Sequence, residues 1–575
     1  HKGYPRVYDI AIEIVSHSDG HIDINGLSSF VSAYQKVSYL TLGELWAIPI
    51  MIRLALLENL SRVAIQIALD RNDSALANEW AHKIIDVNEK NPKDLVLTIA
   101  DMARSNPPIT SAFVGEFTRK LQWKGSEFSL PISWLEQHLL GTSDTLNAMI
   151  LSENQKQAAN QVSVSNSINS LRFIAKMEWR EFVETMSIVE HTLRNDIDGN
   201  YSKMDFYTRD HYRHAVEKIA KESNLPEYEV AHTAITLAQN NFDKNPKDKR
   251  RSHVGYYLID EGRLMTERQS HLKLSTWESF KKWIQHSSPG LYIFSATLLT
   301  LVLGAILVAN AYEYDIHTGW LIALGIFSLI GASQLAIALT NWWATLWIKP
   351  KPLPRLDYSH GIPSDCRTLV VVPTLLVSKP QIEKLAEDLE VRFLANRDDN
   401  LLFALLTDFT DAHAETLPKD ESLVNHAARK IEDLNLRYGK NHNETFFLFH
   451  RPRRWNPVDK IWMGYERKRG KLSDLNHLLR GKSRESFSAI VGDERIFNTI
   501  KYIITLDTDT QLPRDTAWKL VGMMAHPINQ PVYDEQKKRV VEGYGIIQPR
   551  IAISLQGATR TSYSHLHEND SGIDP

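Results

Sequence analysis

Two long stretches without a charged side chain constrain this chain more than any other feature of its sequence. No Asp, Glu, Lys or Arg occurs in residues 283–312 or in residues 316–348. Each stretch is longer than the roughly 20 residues that a helix needs to cross the hydrocarbon core of a bilayer. Two buried helices of a soluble protein are the alternative, and the length of the uncharged runs argues against them. The sequence therefore predicts two membrane-spanning helices.

The short link between the two stretches predicts how they are arranged. Only Glu313, Tyr314 and Asp315 separate them, so we expect an antiparallel hairpin with spans at about 288–311 and 318–346. Basic residues flank the pair on its outer ends: Lys281, Lys282, Lys349, Lys351 and Arg355. Because cytoplasmic flanks carry the excess of Lys and Arg, both large soluble parts are expected in the cytoplasm. The lipid bilayer is thus an expected partner.

The length and composition of the chain indicate that the rest of it is a multidomain globular protein. Its 575 residues exceed the usual size of one domain, and its 23% of charged residues fits folded protein. A net charge of −3 gives no reason to expect nucleic acid as a partner. The single cysteine, Cys366, excludes an internal disulfide and a cysteine-based zinc cluster. Because the chain begins at His1 and stops at Pro575 in a turn-like stretch, we expect a piece of a longer polypeptide.

Residues 1–282 have the pattern of a helical cytoplasmic domain. Thr41 and Glu44 have the spacing of a capping box, in which each side chain binds the backbone N–H of the other residue. Apolar side chains follow on one helical face: Leu45, Ile48, Ile52, Leu56 and Leu60. Pro49 is expected to kink this helix or to start a new one. No group of catalytic residues stands out in this part, so we expect it to have a structural role.

Beyond the apolar stretches, the pattern changes to an alternation of strands and helices. Pro350, Pro352 and Pro354 stiffen the beginning of residues 349–365, which we expect to be a linker. The predicted strands are 368–372, 401–406, 446–449 and 502–506, with a helix at 381–396. This alternation predicts an α/β domain with a mostly parallel sheet in residues 366–575. Such sheets bind ligands beyond the carboxyl ends of their strands.

An acidic pair directly after the last predicted strand is the strongest local signal of chemistry. Asp507 and Asp509 are two residues apart, so both carboxylates are expected on the same side where the chain leaves the sheet. Hard carboxylate oxygens suit Mg²⁺ or Mn²⁺, and such an ion would neutralise a departing diphosphate. Asp196 and Asp198 share this spacing, but no strand precedes them, and they look like a simple turn.

Other polar residues close the first two predicted strands. Pro373 and Thr374 end the first strand, where a nucleotide base could lie against the chain. Asp408 ends the second strand and Asp411 follows it. Either acid could bind the base or ribose of a nucleotide, or else cap a helix. These four residues are candidates for binding a nucleotide that serves as the donor of a transferred group.

A basic segment at 466–476 completes the set of candidate groups. It turns at Gly470, carries Lys471 and continues into an apolar helical pattern that contains Asn476. Cationic side chains and a helix N-terminus together favour phosphate. Three upstream arginines could add to this: Arg451, Arg453 and Arg454. Nucleic acid or anionic lipid would also suit such a cluster, but neither explains the acidic pair.

The order of these motifs resembles that of family-2-like glycosyltransferases with the GT-A fold. A strand ending in proline comes first, then an acid after a second strand, then Gly470-Lys471, then the acidic pair after a third. Longer strings resemble the cyclic β-1,2-glucan synthases, which are glycosyltransferase family 84-like. These strings are 43–56 (GELWAIPIMIRLAL), 92–95 (PKDL), 100–105 (ADMARS) and 253–260 (HVGYYLID). The likeness runs over nearly the whole chain.

The resemblance implies a multi-pass enzyme of the bacterial inner membrane. Such an enzyme uses UDP-glucose, elongates a β-1,2-linked glucan attached to the enzyme itself, and then cyclises it. The resemblance further implies that Asp408 contacts the uridine and Lys471 the diphosphate region. Asp507 would bind ribose or metal, Asp509 would bind the metal, and Asn476 would order the turn.

The sequence also departs from the pattern of the resembling families. A carboxylate base for the acceptor hydroxyl and a Gln-x-x-Arg-Trp-like motif are expected after the acidic pair, and residues 510–575 contain neither convincingly. Glu568 and Asp570 are poor candidates, so the catalytic base is expected beyond Pro575. Two rival hypotheses stay open. A synthase of another polysaccharide, such as a cellulose or chitin type, would share the donor site, whereas a membrane scaffold with a degenerate α/β domain would not bind UDP with metal.

Overall fold

The structure is a computed structural model. It describes residues 3–122, 124–139, 145–272, 288–314, 317–347, 352–439, 444–482 and 484–549. Contacts within the chain form two compact units, His1–Thr192 and Leu193–Pro575. The expected helical range 1–282 therefore falls into both units, because residues after 192 contact segments that follow residue 352.

The first unit is built from helices. These are α1 (Arg6–His17), α2 (Ile24–Gln35), α3 (Leu42–Lys90), α4 (Leu95–Ser105), α5 (Ser111–Leu121), α6 (Ser129–Leu139), α7 (Leu146–Lys176), α8 (Trp179–Met186) and α9 (Ile188–Leu193), whose last residue belongs to the second unit. The predicted capping box of α3 is confirmed. Thr41 Oγ1 accepts from the N–H of Glu44 at 3.3 Å, and Glu44 Oε2 accepts from the N–H of Thr41 at 2.8 Å.

Helix α3 continues through Pro49, so of the two expected alternatives, a kink or a new helix, the structure excludes a new helix. Proline removes one backbone hydrogen bond and crowds the preceding turn. Ile48 and Ile52 lie on either side of Pro49 and are buried in the core of the first unit. Burying each such side chain contributes about 1.5–3 kcal/mol, which offsets the local cost of the proline.

In the part of the chain that the structure describes, the second unit begins with four helices and is completed by residues from beyond the apolar stretches. The helices are α10 (Phe206–Ser223), α11 (Glu227–Lys244), α12 (Val254–Ile259) and α13 (Arg263–Gln269). Arg355 Nε donates to Asp205 Oδ2 at 2.7 Å, and the N–H of Asp357 donates to the carbonyl of Lys203 at 2.8 Å. The described part of the expected linker, from residue 352, is therefore packed in this unit rather than free.

Two long apolar helices lie between these segments of the second unit. They are α14 (Ser288–Tyr312) and α15 (Thr318–Trp347). Both are long and apolar enough to cross a membrane, with mean hydropathies of 2.4 and 2.1. Their bounds agree closely with the predicted spans.

The two apolar helices contact each other and expose the rest of their surface. The hydroxyl of Tyr292 donates to Asn341 Oδ1 at 2.8 Å. At Gly304 the helices approach so closely that a Cβ would lie 2.8 Å from a methyl group of Leu329. Many of their large apolar side chains are exposed, among them Phe294, Trp320, Phe327, Trp342 and Trp343. An apolar surface of this extent suits lipid rather than water.

A sheet with helices alongside it follows in the second unit. The strands are β1 (Thr368–Leu376), β2 (Leu401–Phe409), β3 (Phe446–Arg451), β4 (Arg454–Asn456), β5 (Ile461–Met463), β6 (Ala489–Val491), β7 (Tyr502–Thr505), β8 (Val532–Asp534) and β9 (Arg539–Glu542). The helices are α16 (Lys379–Ala395), α17 (Asp420–Tyr438), α18 (Arg467–Leu479) and α19 (Thr516–Ala525). Within the described residues, five strands form one mixed sheet in the order β6-β3-β2-β1-β7, in which β6 is the antiparallel strand. The predicted, mostly parallel sheet is confirmed.

The apolar runs of β1, β2 and β3 are buried, as their sequences predicted. Successive side chains of a strand point to opposite faces of a sheet. Phe447 accordingly contacts Phe497, whereas its neighbour Phe446 contacts Phe393 of α16. Both faces of the sheet are therefore covered by aromatic side chains, which is the usual condition of a parallel sheet.

The order of the strands reverses at β1, because β7, a later strand, is added on the opposite side of this strand. From β1 the chain proceeds outward through β2 to β3, and β7 is then placed on the other side of β1. The crevice between β1 and β7 is therefore a topological switch point. Open α/β sheets bind ligands at such a point, beyond the carboxyl ends of the strands.

Candidate functional site

The carboxyl ends of the parallel strands bring predicted site residues to one edge of the sheet. Leu375 of β1 lies opposite Asp408 of β2, which lies opposite Arg451 of β3. Thr505 at the end of β7 lies opposite Val371 of β1. The acidic pair that follows β7 therefore leaves the sheet at the edge where β1 and β2 end.

Asp408 is the centre of a buried ion-pair network. Its side chain is 1% exposed, and its two oxygens accept from Arg451 Nε at 2.9 Å and Arg451 Nη2 at 3.0 Å. Lys471 Nζ lies 3.1 Å from Asp408 Oδ2 and donates to the carbonyl of Thr374 at 2.7 Å. Arg451 Nη1 also donates to Asp474 Oδ2 at 2.7 Å. The network therefore ties α18 to the ends of β1, β2 and β3.

Burial and charge oppose each other in this network. Burial lowers the pKa of Lys471, although the charge of Asp408 acts to raise it. Burial also acts to lower the pKa of Arg451, but Asp408 and Asp474 outweigh it and raise that pKa. Two cations thus balance two carboxylates, which is the condition under which buried charges are tolerated. The predicted contacts of Asp408 with uridine and of Lys471 with diphosphate would fall on side chains that already have partners.

Arg392 of α16 fixes the backbone of the loop after β7. Its Nη2 donates to the carbonyls of Thr508 and Thr510, both at 2.8 Å. Burial lowers the pKa of this guanidinium. The side chains of Asp507 and Asp509 are exposed. The loop thus presents two carboxylates on a held backbone, and hard oxygen ligands of this kind fit Mg²⁺ or Mn²⁺.

The first turn of α18 contacts the exposed acids at this edge. Arg467 Nη2 donates to Asp411 Oδ2 at 2.9 Å. Lys468 Nζ pairs with Asp507 Oδ1. Acids that follow β2 and β7 are thus joined by neighbouring residues of one helix.

Some local predictions at this edge are wrong. Asp408 lies within β2, and α17 begins well beyond Asp411, so neither acid caps a helix. Gly470 and Asn476 both lie inside α18 rather than in a turn. The turn comes earlier, because the positive φ of 54° at Glu466 reverses the backbone before the helix begins.

The structure sorts the predicted site residues into two sets. The buried set is Pro373, Thr374, Asp408 and Lys471, and the exposed set is Asp411, Asp507 and Asp509. Of the three upstream arginines, Arg451 belongs to the buried network. Arg453 is also used within the protein, because its Nε donates to the carbonyl of Thr410 at 2.7 Å and its guanidinium pairs with Asp420.

A second group of ionisable residues was missed by sequence reasoning. Asp196 and Asp198, interpreted as a simple turn, lie beside His253. Its Nδ1 is 2.8 Å from Asp196 Oδ2 and 3.1 Å from Asp198 Oδ2. The ligand atoms of these three residues lie within 4.8 Å of one another and could hold a metal ion. More than fifty residues separate the histidine from the acids, so no local motif connects them.

The charges of this group depend on one another. Burial raises the pKa of Asp196 to about 6, against the charge of His253. Burial acts to lower the pKa of His253, but Asp196 and Asp198 raise it to about 10. A hydroxyl from Tyr212 lies 3.1 Å from His253 Nε2 and 3.4 Å from Nε2 of His526. The group is thus a protonated histidine balanced by carboxylates or, with a neutral histidine, a set of three metal ligands.

A cavity of about 810 Å³ opens at the opposite, amino-terminal edge of the sheet. Its lining includes Arg367, Asn400 and Thr445, which lie just before β1, β2 and β3. The predicted site residues, all within the described ranges, are not part of this lining. Because parallel sheets bind ligands at their carboxyl edge, the candidate site is the edge that carries Asp408 and the acidic pair.

Comparison with known proteins supports the resemblance predicted from the sequence. No protein-family profile matches the chain. The chain is 32% identical over 581 residues to the cyclic β-(1,2)-glucan synthase NdvB of Rhizobium meliloti (strain 1021). This match covers 99% of the chain but only 20% of NdvB, so the chain spans about one fifth of the length of this relative. The chain is therefore similar, over nearly its whole length, to one part of the cyclic β-(1,2)-glucan synthase NdvB.

Proposed function

We propose that this chain is the donor-binding part of a membrane-bound glycosyltransferase that transfers glucose from UDP-glucose to a growing β-1,2-glucan. The observation that carries the proposal is the switch point between β1 and β7, where Asp507 and Asp509 follow a buried parallel sheet. Nucleotides bind open α/β sheets at such a point. The similarity to NdvB points to the glucan as the product.

The proposed domain is the donor-binding half of a GT-A fold. Support comes from the parallel order β3-β2-β1-β7 and from the acids that follow β2 and β7. Asp507 and Asp509 are the proposed ligands of Mg²⁺ or Mn²⁺, and Asp507 is also a proposed contact of the ribose. The bound ion would neutralise the diphosphate as UDP departs. The hydrogen bonds from Arg392 to the loop backbone would keep both carboxylates at the edge.

The buried residues at this edge are proposed to form the binding site for the nucleoside. Pro373 and Thr374 end β1, and the uracil ring is proposed to lie against them. Lys471 holds the carbonyl of Thr374, while Asp408 holds Lys471. Asp408 and Lys471 would thus act on the donor by positioning this edge. Asp411 is proposed as an exposed contact of the donor.

The proposed transfer inverts the configuration of the glucose. The glucose of UDP-glucose is α-linked, whereas the proposed product is β-linked. The incoming acceptor hydroxyl must lose its proton to a base, and we assign that role to none of the described residues. The acceptor is proposed to be a glucan chain attached to the enzyme itself.

The contacts within the second unit support a hairpin in the bacterial inner membrane. Residues on both sides of α14 and α15 contact each other, as in the hydrogen bond from Arg250 Nη1 to the carbonyl of Ile528 at 2.7 Å. We therefore propose that both sides lie on one face of a membrane, which an even number of crossings would allow. The flanking lysines and arginines support a cytoplasmic location for that face.

Binding of UDP-glucose to the detergent-solubilised chain, with and without Mn²⁺, tests the proposal. We expect Mn²⁺-dependent binding that Asp509→Ala abolishes. Asp433→Ala is the control, because it removes another exposed aspartate, on α17. Absence of Mn²⁺-dependent binding by folded protein would favour the scaffold hypothesis. A synthase of another β-glucan would give the same result as the proposal here and would differ only in its product.

A further inference from the structure

Two cationic side chains at the start of α18 are accessible at the candidate site. Arg467 Nη2 lies 2.9 Å from Asp411 Oδ2, and Lys468 Nζ pairs with Asp507 Oδ1. The side chains of Arg467 and Lys468 are 74% and 54% exposed, whereas that of Lys471 is only 4% exposed. A ligand at this edge would therefore meet the first two cations and not the buried lysine.

The first turn of α18 passes over the end of β1. Asp411 follows β2, Asp507 follows β7, and β1 lies between those two strands in the sheet. Neighbouring residues that contact both acids must bridge the strand between them. The carbonyl of Thr374, near the end of that strand, accepts from Lys471 of the same helix. The two exposed cations thus lie at the switch point, where a diphosphate would be held.

This turn has a strained backbone that its surroundings hold in place. Glu466 and Arg467 have positive φ values of 54° and 47°, which are unfavourable for residues with a Cβ. Gly464 packs so closely on Asp408 that a Cβ would lie 2.4 Å from its Oδ2. Arg451 Nη2 donates to the carbonyl that follows Gly464, that of residue 465, at 3.2 Å. The buried network therefore positions the turn that carries the exposed cations.

We propose that Arg467 and Lys468 bind the diphosphate of a sugar nucleotide, and that Lys468 competes with a divalent cation for Asp507. The inference rests on the proposed function, since it takes a nucleoside diphosphate as the ligand of this edge. As Asp507 turns to the cation, the ammonium group of Lys468 is released and pairs with phosphate oxygens. The planar guanidinium of Arg467 suits the same oxygens. Exposed ion pairs contribute little, so this exchange costs little.

Competition and phosphate binding predict opposite effects of one substitution. Lys468→Met keeps a long side chain but removes its charge. We expect Mn²⁺ alone to bind about threefold tighter or more, because Asp507 loses its competing cation. We expect UDP at saturating Mn²⁺ to bind about tenfold more weakly, because a charge-assisted hydrogen bond is lost. Electron paramagnetic resonance measures Mn²⁺ binding, and calorimetry measures UDP binding, both on the solubilised chain.

The neighbouring Arg469 provides a matched control. Arg469→Met removes the same charge from the same turn, and its side chain is highly exposed and lies near Glu466. We expect both affinities to stay within twofold of the wild-type values, and Lys468→Arg to retain UDP binding. Parallel loss of both affinities in Lys468→Met, or no change in either, would overturn the inference while leaving the proposed function intact. If the folded wild-type chain binds no UDP with Mn²⁺, the proposed function itself fails.

Discussion

Replacement of Asp408 by asparagine tests the buried network directly. Asp408→Asn keeps the shape of the side chain but removes the charge that faces Arg451 and Lys471, both almost fully buried. Removing one partner of a buried ion pair costs about 3–5 kcal/mol, because the remaining charge is left uncompensated. Arg451 keeps its contact with Asp474 at 2.7 Å, so we expect a loss within that range and not twice as large.

Lys471 can escape part of this cost by losing its proton. Burial already lowers the pKa of Lys471, and Asp408 opposes that effect. The double variant Asp408→Asn/Lys471→Met removes the uncompensated charge altogether. We expect it to recover at least about 1 kcal/mol relative to Asp408→Asn, since contacting residues couple by about 0.5–3 kcal/mol.

Hydrogen exchange of the amides of β1 and β2 measures the local free energy of opening. The expected loss accelerates exchange by roughly two to three and a half orders of magnitude in Asp408→Asn, at about 1.4 kcal/mol per tenfold. Asp411→Asn is the control, because its exposed pair with Arg467 is worth at most about 1 kcal/mol. If the exchange rates in Asp408→Asn stay within about fivefold of wild type and match the control, the reasoning is refuted.

Four further predictions address other parts of the chain. The pKa of His253 is raised to about 10, so its contribution to stability is complete below about pH 6.5 and is lost as the pH rises towards 10. Between these values we expect the free energy of unfolding to fall by up to about 1.4 kcal/mol per pH unit. His253→Gln should flatten this slope, as measured by thermal unfolding at a series of pH values. Thr41→Ala should cost about 1 kcal/mol of helix stability, measured by exchange in the first turn of α3. Gly464→Ala should destabilise the β2 edge by about 1–3 kcal/mol in the same exchange assay, because its Cβ would meet Asp408. Tyr314→Cys in intact cells should react with an impermeant thiol reagent if the hairpin spans the membrane, and absence of labelling, with labelling after lysis, would refute the topology.

The sequence predicted those elements that depend on short, local runs of residues. Residues 368–372 and 401–406 became β1 and β2, but both strands extend several residues further, to Leu376 and Phe409. The prediction stopped where polar residues begin. These polar residues stay in the strands because Arg451 donates hydrogen bonds to Asp408 and Lys471 donates one to the carbonyl of Thr374. Both partners come from other elements, so the sequence of one strand does not reveal them.

The sequence predicted which residues lie near the carboxyl edge of the sheet, but not the contacts that they make there. Sequence order placed Asp408 and Lys471 near one edge, yet both could have been exposed ligands, and their mutual burial depends on the packing of α18 against the sheet. Asp196 and Asp198 show the opposite error. Their spacing matched that of the acidic pair, and the absence of a preceding strand made them look like a turn. His253, the partner that changes their meaning, becomes adjacent only in the folded chain.

The discontinuity of the second unit has a consequence for how the protein is made. Tyr212 and His253 complete their contacts with His526, which leaves the ribosome roughly 270 residues after His253. At about 5–20 residues per second, that interval lasts roughly 14–55 seconds. During this time the early helices display an unmatched, ionisable surface, while both apolar helices emerge from the ribosome. Biogenesis is thus ordered in time: the early half of the unit must be kept from misassembly until its late half arrives.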